Sequence, residues 1–579
     1  MKRQILFVFG GQTCVPGDPL VTAKELGCQT TVIGQTIPCG LPAELVDRFE
    51  RVNLEDAEEV LAVATSLHGF RPIHAVVGYD DQAVPIVARI AAALRLPGNP
   101  VEAADAARDK VIMKQRFEAA GLPIAAYHLA QDEEDAVSWA ARTSYPVVVK
   151  PVRGSASQGV IRADSEPTLR QAYRRLRRIV RSQGLDTGGR SDARQLVENY
   201  IDGNEYSVEF LIKDGQPHVL CLFEKPMPLH GPFFEETIYL TPARLHAEHQ
   251  GQLQDLAIRA VQALGLRNGP AHCEIRLSSQ GPFVLEIGAR VIGGACSRVF
   301  RHILDEDIHS YVLRLALGDE IVLPLQRKGA AGAMMLPIPG EGRLVSVSGI
   351  EKARSVPSIQ DVIVTASPGE IIIPFPEQNC YVGFLTARAD TPGAVEEALN
   401  KAAELIEMDL QPLGCECWAR QIDDQASYQA PASHNIRTLR DEGIEEARLA
   451  VLPLVGAANF GELPTHLSLA EADKCIRWLE EGNKGETSPS LWLIAEGRGA
   501  ALGSVCGEVC YVSCLSVIPD QRHTGLGTAL MRTLMSMFAE QGCKKMEVLV
   551  DPREAGSSGL FRRLGFTMEV PGGQSCCTC

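Results

Sequence analysis

Short apolar runs alternate with helical patterns along the first 100 residues. The runs Ile5–Phe9, Thr30–Ile33 and Ala75–Gly78 predict buried strands, and the pattern of Ala83–Leu94 predicts a helix. Buried strands that alternate with helices are typical of a small parallel sheet. Residues 1–100 are therefore predicted to form an α/β domain.

The pattern changes after residue 100. Residues 101–325 mix helices with hairpin-forming strands, such as Gln195–Tyr200 and Tyr206–Lys213. Residues 326–420 are predicted to contain the strands Arg343–Gly349, Glu370–Pro374 and Gly383–Ala389 and the helix Pro392–Ile406. The polar stretch Asp423–Asn435 predicts a linker over 421–437, and residues 438–579 have an independent α+β pattern. The predicted fold class is thus a multidomain chain of α/β and α+β parts.

Composition narrows the classes of partner. Hydrophobic residues make up 45% of the chain and charged residues 22%, which is ordinary for globular domains with their own cores. The balance of 56 basic and 72 acidic residues gives a net charge of −16, which argues against nucleic acid or an anionic membrane as the main partner. Because no run of about 18 apolar residues occurs, we expect no membrane span and a cytoplasmic location.

The strongest local signal is Tyr145–Gly159, which reads YPVVVKPVRGSASQG. The β-branched run Val147–Val149 predicts a strand that ends at Lys150, and a loop rich in Gly and Ser follows. Flexible backbone in such a loop can donate N–H groups to phosphates, and a lysine ammonium group neutralises their charge. Taken alone, however, a loop of this kind is more often a simple turn.

Four glutamates follow in an order that strengthens this interpretation. Glu198 precedes Glu205, and further on come Glu274, in HCEIRL, and Glu286, in VLEIGARVIGG. Two carboxylates on adjacent antiparallel strands can converge on a divalent metal ion, which favours oxygen ligands. Each glutamate alone is more often part of a solvated strand face, but the ordered set is much harder to obtain by chance.

This set of residues resembles the ATP-grasp superfamily, and within it the L-amino acid ligases related to carnosine synthase and biotin carboxylase. The resemblance covers about residues 1–420 and includes GEGRLVSVSGIEKARSVPSIQDVIV, which is similar to the small C-terminal domain of those ligases. It implies a pre-ATP-grasp domain over 1–100, an ATP-grasp domain over 101–325 with a lid at about 151–210, and a small C-terminal domain over 326–420.

The resemblance also implies ligands for ATP and for Mg²⁺, which Mn²⁺ can replace. The implied phosphate-binding residues are Lys110, Lys150, Gly154, Ser155, Ser157 and Gly159. The implied adenine and ribose contacts are Glu198, Asn199, Tyr200, Ile201 and Glu205. Glu274 and Glu286 would hold the metal, and Arg290 would stabilise the phosphorylated carboxylate and its tetrahedral adduct. The chain departs from the family at Gly288, where many relatives have Asn as a further metal ligand.

The implied reaction is the ATP-dependent joining of a carboxylate to an amine through an acyl phosphate. Amino acids or small peptides are the implied substrates, and a homodimer formed by this half is compatible with the family. Arg276, Arg290 and His230 are candidates to meet a substrate carboxylate, because guanidinium groups pair with carboxylates through two hydrogen bonds. A surface loop is an equally good account of His230.

A second motif lies near the C-terminus, in CLSVIPDQRHTGLGTALMRTL. The strand Leu515–Val517 is followed by a Gly-containing loop that opens a helix, and RRLGF comes about forty residues later. N–H groups at a helix N-terminus, next to glycines that allow close approach, favour a pyrophosphate. A lone R-x-x-G-x-G is a weak signal, but the flanking strand, helix and RRLGF make it strong.

This segment resembles the GNAT family of N-acetyltransferases over roughly residues 440–570. The resemblance implies that acetyl-CoA is bound by Arg522, Thr524, Gly525 and Gly527 at its pyrophosphate and by the backbone of Leu515 and Val517 at its pantetheine. Phe561 stands where the family often has a proton-donating Tyr. Glu508 is a candidate base, although a solvated carboxylate is the simpler account of it.

The cysteines leave further alternatives open. Cys506, Cys510 and Cys514 would face one side of an uninterrupted strand, and with the tail SCCTC they suggest a soft-metal, metalloid or redox site or, more simply, reduced core thiols. Two other functions are therefore considered beside the ligase–acetyltransferase. One is an acyltransferase that confers resistance to a toxic amino-acid analogue or metalloid compound, and the other is a cofactor-bound regulatory protein.

Overall fold

The chain folds into two compact units, Met1–Gln411 and Pro412–Cys579. A computed structural model describes residues 2–10, 15–38, 41–182, 194–227, 229–323, 325, 328–378, 381–412, 416–421, 437–439, 490–495, 499–506, 509–517, 526–540, 543–550 and 560–569. No helix within these ranges is both long enough and apolar enough to cross a membrane.

The first part of unit 1 is a parallel sheet with helices. Its elements are β1 (Gln4–Phe9), α1 (Gly17–Glu25), β2 (Gln29–Gly34), β3 (Arg48–Arg51), α2 (Ala57–Phe70), β4 (Ala75–Gly78), α3 (Ala83–Leu94) and α4 (Val101–Arg108). The strand order is β3-β2-β1-β4, and all pairs are parallel. All six residues of β1 are buried, as expected for a strand covered on both faces. The bounds predicted for β4 and α3 are confirmed.

A second, antiparallel sheet follows. Its region contains α5 (Lys110–Ala119), β5 (Tyr127–Ala130), α6 (Glu133–Thr143), β6 (Val147–Pro151), β7 (Ile161–Ala163), α7 (Glu166–Ser182) and β8 (Gln195–Asn199). The strand order is β5-β8-β6-β7, and apolar residues of α6 and α7 form a core against this sheet. This layer runs from 127 to 199 and overlaps the lid predicted at about 151–210, so it is named the lid sheet below.

The remainder of unit 1 is built on an eight-stranded sheet. Its elements are β9 (Asn204–Lys213), β10 (Gln216–Glu224), β11 (Ile238–Thr241), α8 (Ala247–Leu264), β12 (Gly269–Ser278), β13 (Gly281–Gly288), α9 (Phe300–Ile303), α10 (Ile308–Ala316), β14 (Ala330–Met335), β15 (Gly342–Ser348), α11 (Ile350–Arg354), β16 (Ile359–Val364), β17 (Ile371–Ile372), β18 (Gly383–Ala389), α12 (Pro392–Ala403) and β19 (Glu407–Gln411). The large sheet has the order β13-β12-β9-β10-β11-β14-β18-β16, and a small sheet has the order β17-β15-β19.

Several predicted bounds in residues 326–420 shift by a few positions. The strand predicted over Glu370–Pro374 covers only Ile371–Ile372, and the helix predicted to reach Ile406 ends at Ala403. β15 ends before Gly349, which has a φ of 81° and contacts the Leu405 carbonyl so closely that no side chain would fit. Glycine is the residue that adopts this left-handed conformation without strain.

The second unit is a mixed sheet with one long helix among its described elements. These elements are β20 (Glu416–Gln421), β21 (Arg437–Leu439), β22 (Ser490–Ala495), β23 (Gly499–Cys506), β24 (Val509–Val517), α13 (Leu526–Glu540), β25 (Lys545–Val550) and β26 (Thr567–Glu569). The strand order is β21-β22-β23-β24-β25-β20-β26. β20 pairs with β25, so residues 416–420 belong to this unit and not to the ligase half as predicted. The predicted linker segment Asp423–Asn435 lies outside the described residues.

The prediction of one cysteine-bearing strand is wrong. Cys506 ends β23, whereas Cys510 lies on β24, and the two strands pair antiparallel with Val505 opposite Cys510. An even spacing therefore does not place these residues on one face of a single strand. Cys510 is buried in the apolar core of the unit, and burial raises the pKa of its thiol. The cysteines of the tail lie outside the described residues.

We predict that Phe210→Ala lowers the free energy of unfolding of the first unit by about 3–5 kcal/mol. Phe210 lies on β9, at the middle of the large sheet, and is only 1% exposed, so truncation leaves a cavity in the core. Urea denaturation of the full chain measures the change. Phe70→Ala is the control, because Phe70 is 83% exposed and its loss is expected to cost less than about 0.5 kcal/mol. Equal effects of the two variants would contradict the assignment of this core.

Candidate functional site in the first unit

A cavity of about 1850 Å³ opens between the parts of unit 1. Its wall includes the carboxyl ends of β1 and β4, the lid sheet, β12 and β13, and the region of β16 and β17. Most of the predicted ligase residues line it: Lys110, Lys150, Gly154, Ser155, Ser157, Glu198, Asn199, Tyr200, Ile201, Glu205, Glu274, Arg276, Glu286 and Arg290. The fold therefore brings together residues that are up to 180 positions apart in the sequence.

Lys150 lies at the end of β6 and forms a buried ion pair. Its Nζ is 2.5 Å from Oε1 of Glu198, and Nζ of Lys114 is 2.6 Å from Oε2 of the same carboxylate. Burial alone would raise the pKa of Glu198, but the two lysines outweigh it and lower this pKa to about 2. Glu198 is therefore an anion that holds two lysines, a role beyond the predicted backbone contact. Lys114 was missed, although it follows Lys110 by one helical turn in RDKVIMKQRF.

Lys110 is the first residue of helix α5, and its side chain contacts two other predicted residues, Gly154 and Glu286. Asp109 caps the helix by accepting hydrogen bonds from the N–H groups of Val111 and Ile112. Lys110 Nζ then donates to the carbonyl of Gly154 at 3.1 Å and lies 3.0 Å from Oε2 of Glu286. The loop Gly154–Gly159, named the phosphate loop below, thus meets Lys110 at Gly154, and Glu286 lies beside the same lysine.

The loop after β6 is bonded to Pro376 and Glu377. These two residues belong to the part of unit 1 from β15 to β19, which is named the small C-terminal region below. Gln158 Nε2 donates to the Glu377 carbonyl at 2.9 Å, and the Gly159 N–H donates to the Pro376 carbonyl at 3.0 Å. A Cβ at Gly159 would lie 2.6 Å from Leu176 Cδ1, and its φ is 71°. Gly159 is not among the residues that line the cavity, and its N–H is engaged, so its contact with phosphate stays a prediction. Gly154, Ser155 and Ser157 do line it.

The backbone of Asn199, Tyr200 and Ile201, which are predicted to bind adenine, is hydrogen-bonded to neighbouring segments. The N–H of Asn199 donates to the Ala126 carbonyl at 2.9 Å, and the N–H of Tyr200 donates to the Pro146 carbonyl at 3.0 Å. The Ile201 carbonyl accepts from Arg276 at 2.8 Å. These two N–H groups and this carbonyl therefore stabilise the fold in this structure. The three residues nevertheless line the cavity.

Arg276 and Glu205 are bound to each other. Arg276 Nε is 3.0 Å from Oε2 of Glu205, and its Nη2 donates to the Leu229 carbonyl at 2.6 Å. Its guanidinium also lies 5.0 Å from the ring centre of Tyr200 and 5.4 Å from that of Phe234. Three of the Arg276 donors thus hold Glu205 and two backbone carbonyls, which fixes the guanidinium beside Tyr200 and Phe234, and its contact with a substrate carboxylate stays a prediction.

Glu274 and Glu286 face each other across β12 and β13. The two residues are direct partners in the antiparallel register, as the prediction of a convergent pair requires. Glu274 Oε1 lies 2.8 Å from Nζ of Lys225 and 3.3 Å from Nε2 of His272. Glu274 and Glu286 line the same cavity and offer the carboxylate oxygens that Mg²⁺ prefers, so the residues present fit a magnesium ion, although Gly288 adds no side-chain oxygen.

Arg290 is paired with a residue of the first sheet. Its Nε and Nη2 lie 3.0 and 2.9 Å from Oδ2 of Asp81, which follows β4. Burial alone would raise the pKa of Asp81, but Arg290 and its neighbours lower it, so both groups are charged. Asp81 was missed because its partner is more than 200 residues away. The exposed His230 is not among the residues that line the cavity, and its carbonyl accepts a hydrogen bond from Arg162 at 2.8 Å.

Three of the residues predicted to bind acetyl-CoA lie in the described part of the second unit. Leu515 and Val517 lie on β24, and Gly527 lies in the first turn of α13. β24 pairs in parallel with β25 over Val509–Val512, and the pairing ends there although β24 continues to Val517. Phe561 is 3% exposed and packs against Phe566, so it belongs to the core. Glu508, Arg522, Thr524 and Gly525 lie outside the described residues.

Family models match four parts of the chain. Residues 20–98 match an ATP-grasp N-terminal domain, 143–299 an ATP-grasp domain, 334–411 an L-amino acid ligase C-terminal domain, and 462–566 the acetyltransferase (GNAT) family. These matches show that the chain contains an ATP-grasp domain, an L-amino acid ligase C-terminal domain and a GNAT domain.

Individual relatives narrow this class. Dapdiamide A synthase of Enterobacter agglomerans is 25% identical over 378 residues, which cover 61% of this chain and 84% of that protein. The carnosine synthase 1 of Gallus gallus is 29% identical over 335 residues, covering 54% of this chain and 35% of the relative. The crystal structure of an L-amino acid ligase from Bacillus licheniformis is 28% identical with a TM-score of 0.61, and covers 71% of this chain and all of that one. The chain is thus similar to ATP-grasp amide-bond ligases, and it carries a GNAT acetyltransferase domain.

We predict that Lys150→Met weakens binding of a non-hydrolysable ATP analogue at least tenfold. The substitution removes a cation from the cavity wall and leaves Glu198 with one lysine partner. Isothermal titration calorimetry measures the dissociation constant. Lys328→Met is the control, because Lys328 pairs with Asp305 on the surface with 64% of its side chain exposed. Unchanged affinity in Lys150→Met would show that the nucleotide binds elsewhere.

Proposed function

We propose that the first unit activates the carboxylate of an amino acid or small peptide with ATP and joins it to an amine. The observation that carries this proposal is the convergence of Lys110, Lys150, Glu274 and Glu286 on one cavity. Two lysines suit a polyphosphate, and two facing carboxylates suit its metal ion. The lid sheet and the phosphate loop form one side of the same cavity.

In the first step, an oxygen of the substrate carboxylate attacks the γ-phosphorus of ATP, an O–P bond forms, and ADP leaves. Lys110 and Lys150 offset the charge of the phosphates, and N–H groups of Gly154–Ser157 are available to hold them. Glu274 and Glu286 would hold Mg²⁺, which would neutralise charge on the transferring group. The chain's part in this step is positioning and electrostatic stabilisation, with no covalent protein intermediate.

In the second step, the nitrogen of the amine attacks the acyl carbon, and phosphate leaves as the amide forms. Arg290 lines the cavity beside Gly288 and is the candidate to stabilise the developing oxyanion. Its ion pair with Asp81 holds the guanidinium in place. The proton that the amine releases must leave through a base or water in the cavity.

Exclusion of water is a further requirement, because water would hydrolyse the acyl phosphate. The lid sheet closes over the cavity through contacts with the small C-terminal region. Arg175, on α7, forms two hydrogen bonds to the Glu377 carboxylate, at 2.6 and 2.8 Å. The neighbouring bonds from Gln158 and Gly159 hold the phosphate loop to the same segment. These contacts support a lid that shields the intermediate.

The names of the relatives support amino acids as the substrate class. They include dapdiamide A synthase, D-alanine–D-alanine ligase, alanine–anticapsin ligase and an L-amino acid ligase. The GNAT domain supports a second transfer, of an acetyl group from acetyl-CoA to an amine. We propose that this amine is the N-terminus of the substrate or product of the ligase, which would account for the fusion of the two domains.

The decisive assay incubates the full chain with ATP, Mg²⁺ and mixtures of the twenty standard amino acids. We expect ADP and phosphate to form in a mixture-dependent manner, and mass spectrometry to show a product that has lost one water relative to its two substrates. Addition of acetyl-CoA is expected to give a product heavier by one acetyl group. Absence of both ADP formation and ATP binding in every mixture would contradict the proposal.

We predict that Glu286→Gln lowers the turnover of ADP formation at least 100-fold, because the neutral amide is a poor ligand for Mg²⁺ and Lys110 loses its carboxylate partner. The steady-state rate at saturating ATP checks this expectation. Glu320→Gln is the matched control, since Glu320 is exposed and outside the cavity wall. A turnover equal to that of the control would remove Glu286 from the metal site.

A further inference from the structure

Lys225 occupies the centre of a group of three carboxylates. It directly follows β10, and its side chain is 3% exposed. Its Nζ lies 2.5 Å from Oε1 of Glu205 and 2.8 Å from Oε1 of Glu274, and it forms a third ion pair with Glu236. The ammonium also lies 5.0 Å from the ring centre of Tyr239, whose hydroxyl donates to Glu236. Neither Lys225 nor Glu236 was singled out from the sequence.

The three carboxylates have the geometry of a cation site. One oxygen from each of Glu205, Glu236 and Glu274 lies within 4.8 Å of the others, close enough to share a single ion. Three buried carboxylates without a cation would repel one another and lose their hydration, which is costly. In this structure the Lys225 ammonium satisfies all three, so a divalent ion and this lysine would compete for the same position.

The surroundings of Gly288 are a second observation about the ligands in this cavity. A Cβ at this position would lie 3.4 Å from Oδ1 of Asp81 and 3.5 Å from the Arg290 side chain. Gly288 therefore adds no side-chain oxygen to this part of the cavity, whereas the position among the three carboxylates is already taken by the Lys225 ammonium.

We propose that Lys225 is a built-in cation that takes the place of one divalent ion. The nucleotide-loaded protein then holds a single Mg²⁺, at Glu274 and Glu286, and this inference rests on the proposed function of the cavity. An ammonium group donates up to three hydrogen bonds, which matches the three carboxylates around it. Because it is tethered to the chain, this positive charge is retained when divalent ions are removed.

The test counts Mn²⁺ ions bound to the full chain in the presence of a non-hydrolysable ATP analogue, from the electron paramagnetic resonance signal of free Mn²⁺. We expect one ion per nucleotide-loaded protein for the natural chain and two for Lys225→Met, in which the three carboxylates are free to bind metal. Lys225→Arg is the matched control, because it keeps a cation at this position, and it is expected to bind one.

A second variant covers the case in which Lys225→Met does not fold. Lys225→Met combined with Glu236→Gln removes one unpaired charge, and it is expected to bind a second Mn²⁺ more weakly than the first. Two ions in the natural chain, or one ion in both the single and the double variant, would overturn the proposal. Absence of nucleotide and Mn²⁺ binding in the natural chain would instead overturn the proposed function.

Discussion

The cavity of the first unit depends on the mutual neutralisation of buried charges. Lys110 pairs with Glu286, Lys150 and Lys114 share Glu198, and Arg290 pairs with Asp81. Any one of these groups alone would cost several kcal/mol to bury without a partner. Together they allow these groups to stay charged in the wall of the cavity.

The same pairing explains how the wall can receive a metal-bound polyphosphate. Phosphate oxygens can replace carboxylates as partners of the lysines, and a divalent ion can replace lysines as the partner of the carboxylates. Each charged group then keeps a partner of opposite sign, which lowers the electrostatic cost of the exchange. Two features of the sheets make this possible. The register of β12 and β13 places Glu274 directly opposite Glu286, and β6 ends where the phosphate loop begins.

The sequence predicts those features that depend on local pattern. The strand Ala75–Gly78 and the helix Ala83–Leu94 follow from apolar periodicity, and Lys150 and Glu286 lie in recognisable local motifs. Partners from distant segments, such as Asp81 for Arg290 and Lys225 for Glu205, leave no local trace, since only the folded sheets bring them together. For the same reason, the sequence could not show that Arg276 donates hydrogen bonds to Glu205 and to backbone carbonyls. Nor could it show that β20 pairs within the sheet of the second unit.

The central claim is that one cavity, lined by two lysines and two facing glutamates, receives the triphosphate and its metal. A crystal structure of the full chain with Mg²⁺ and a non-hydrolysable ATP analogue tests it most directly. The account predicts phosphate oxygens within hydrogen-bonding distance of Lys110 and Lys150 and a magnesium ion coordinated by Glu274 and Glu286. A nucleotide bound outside this cavity, with the Lys110–Glu286 and Lys150–Glu198 pairs undisturbed, would contradict it.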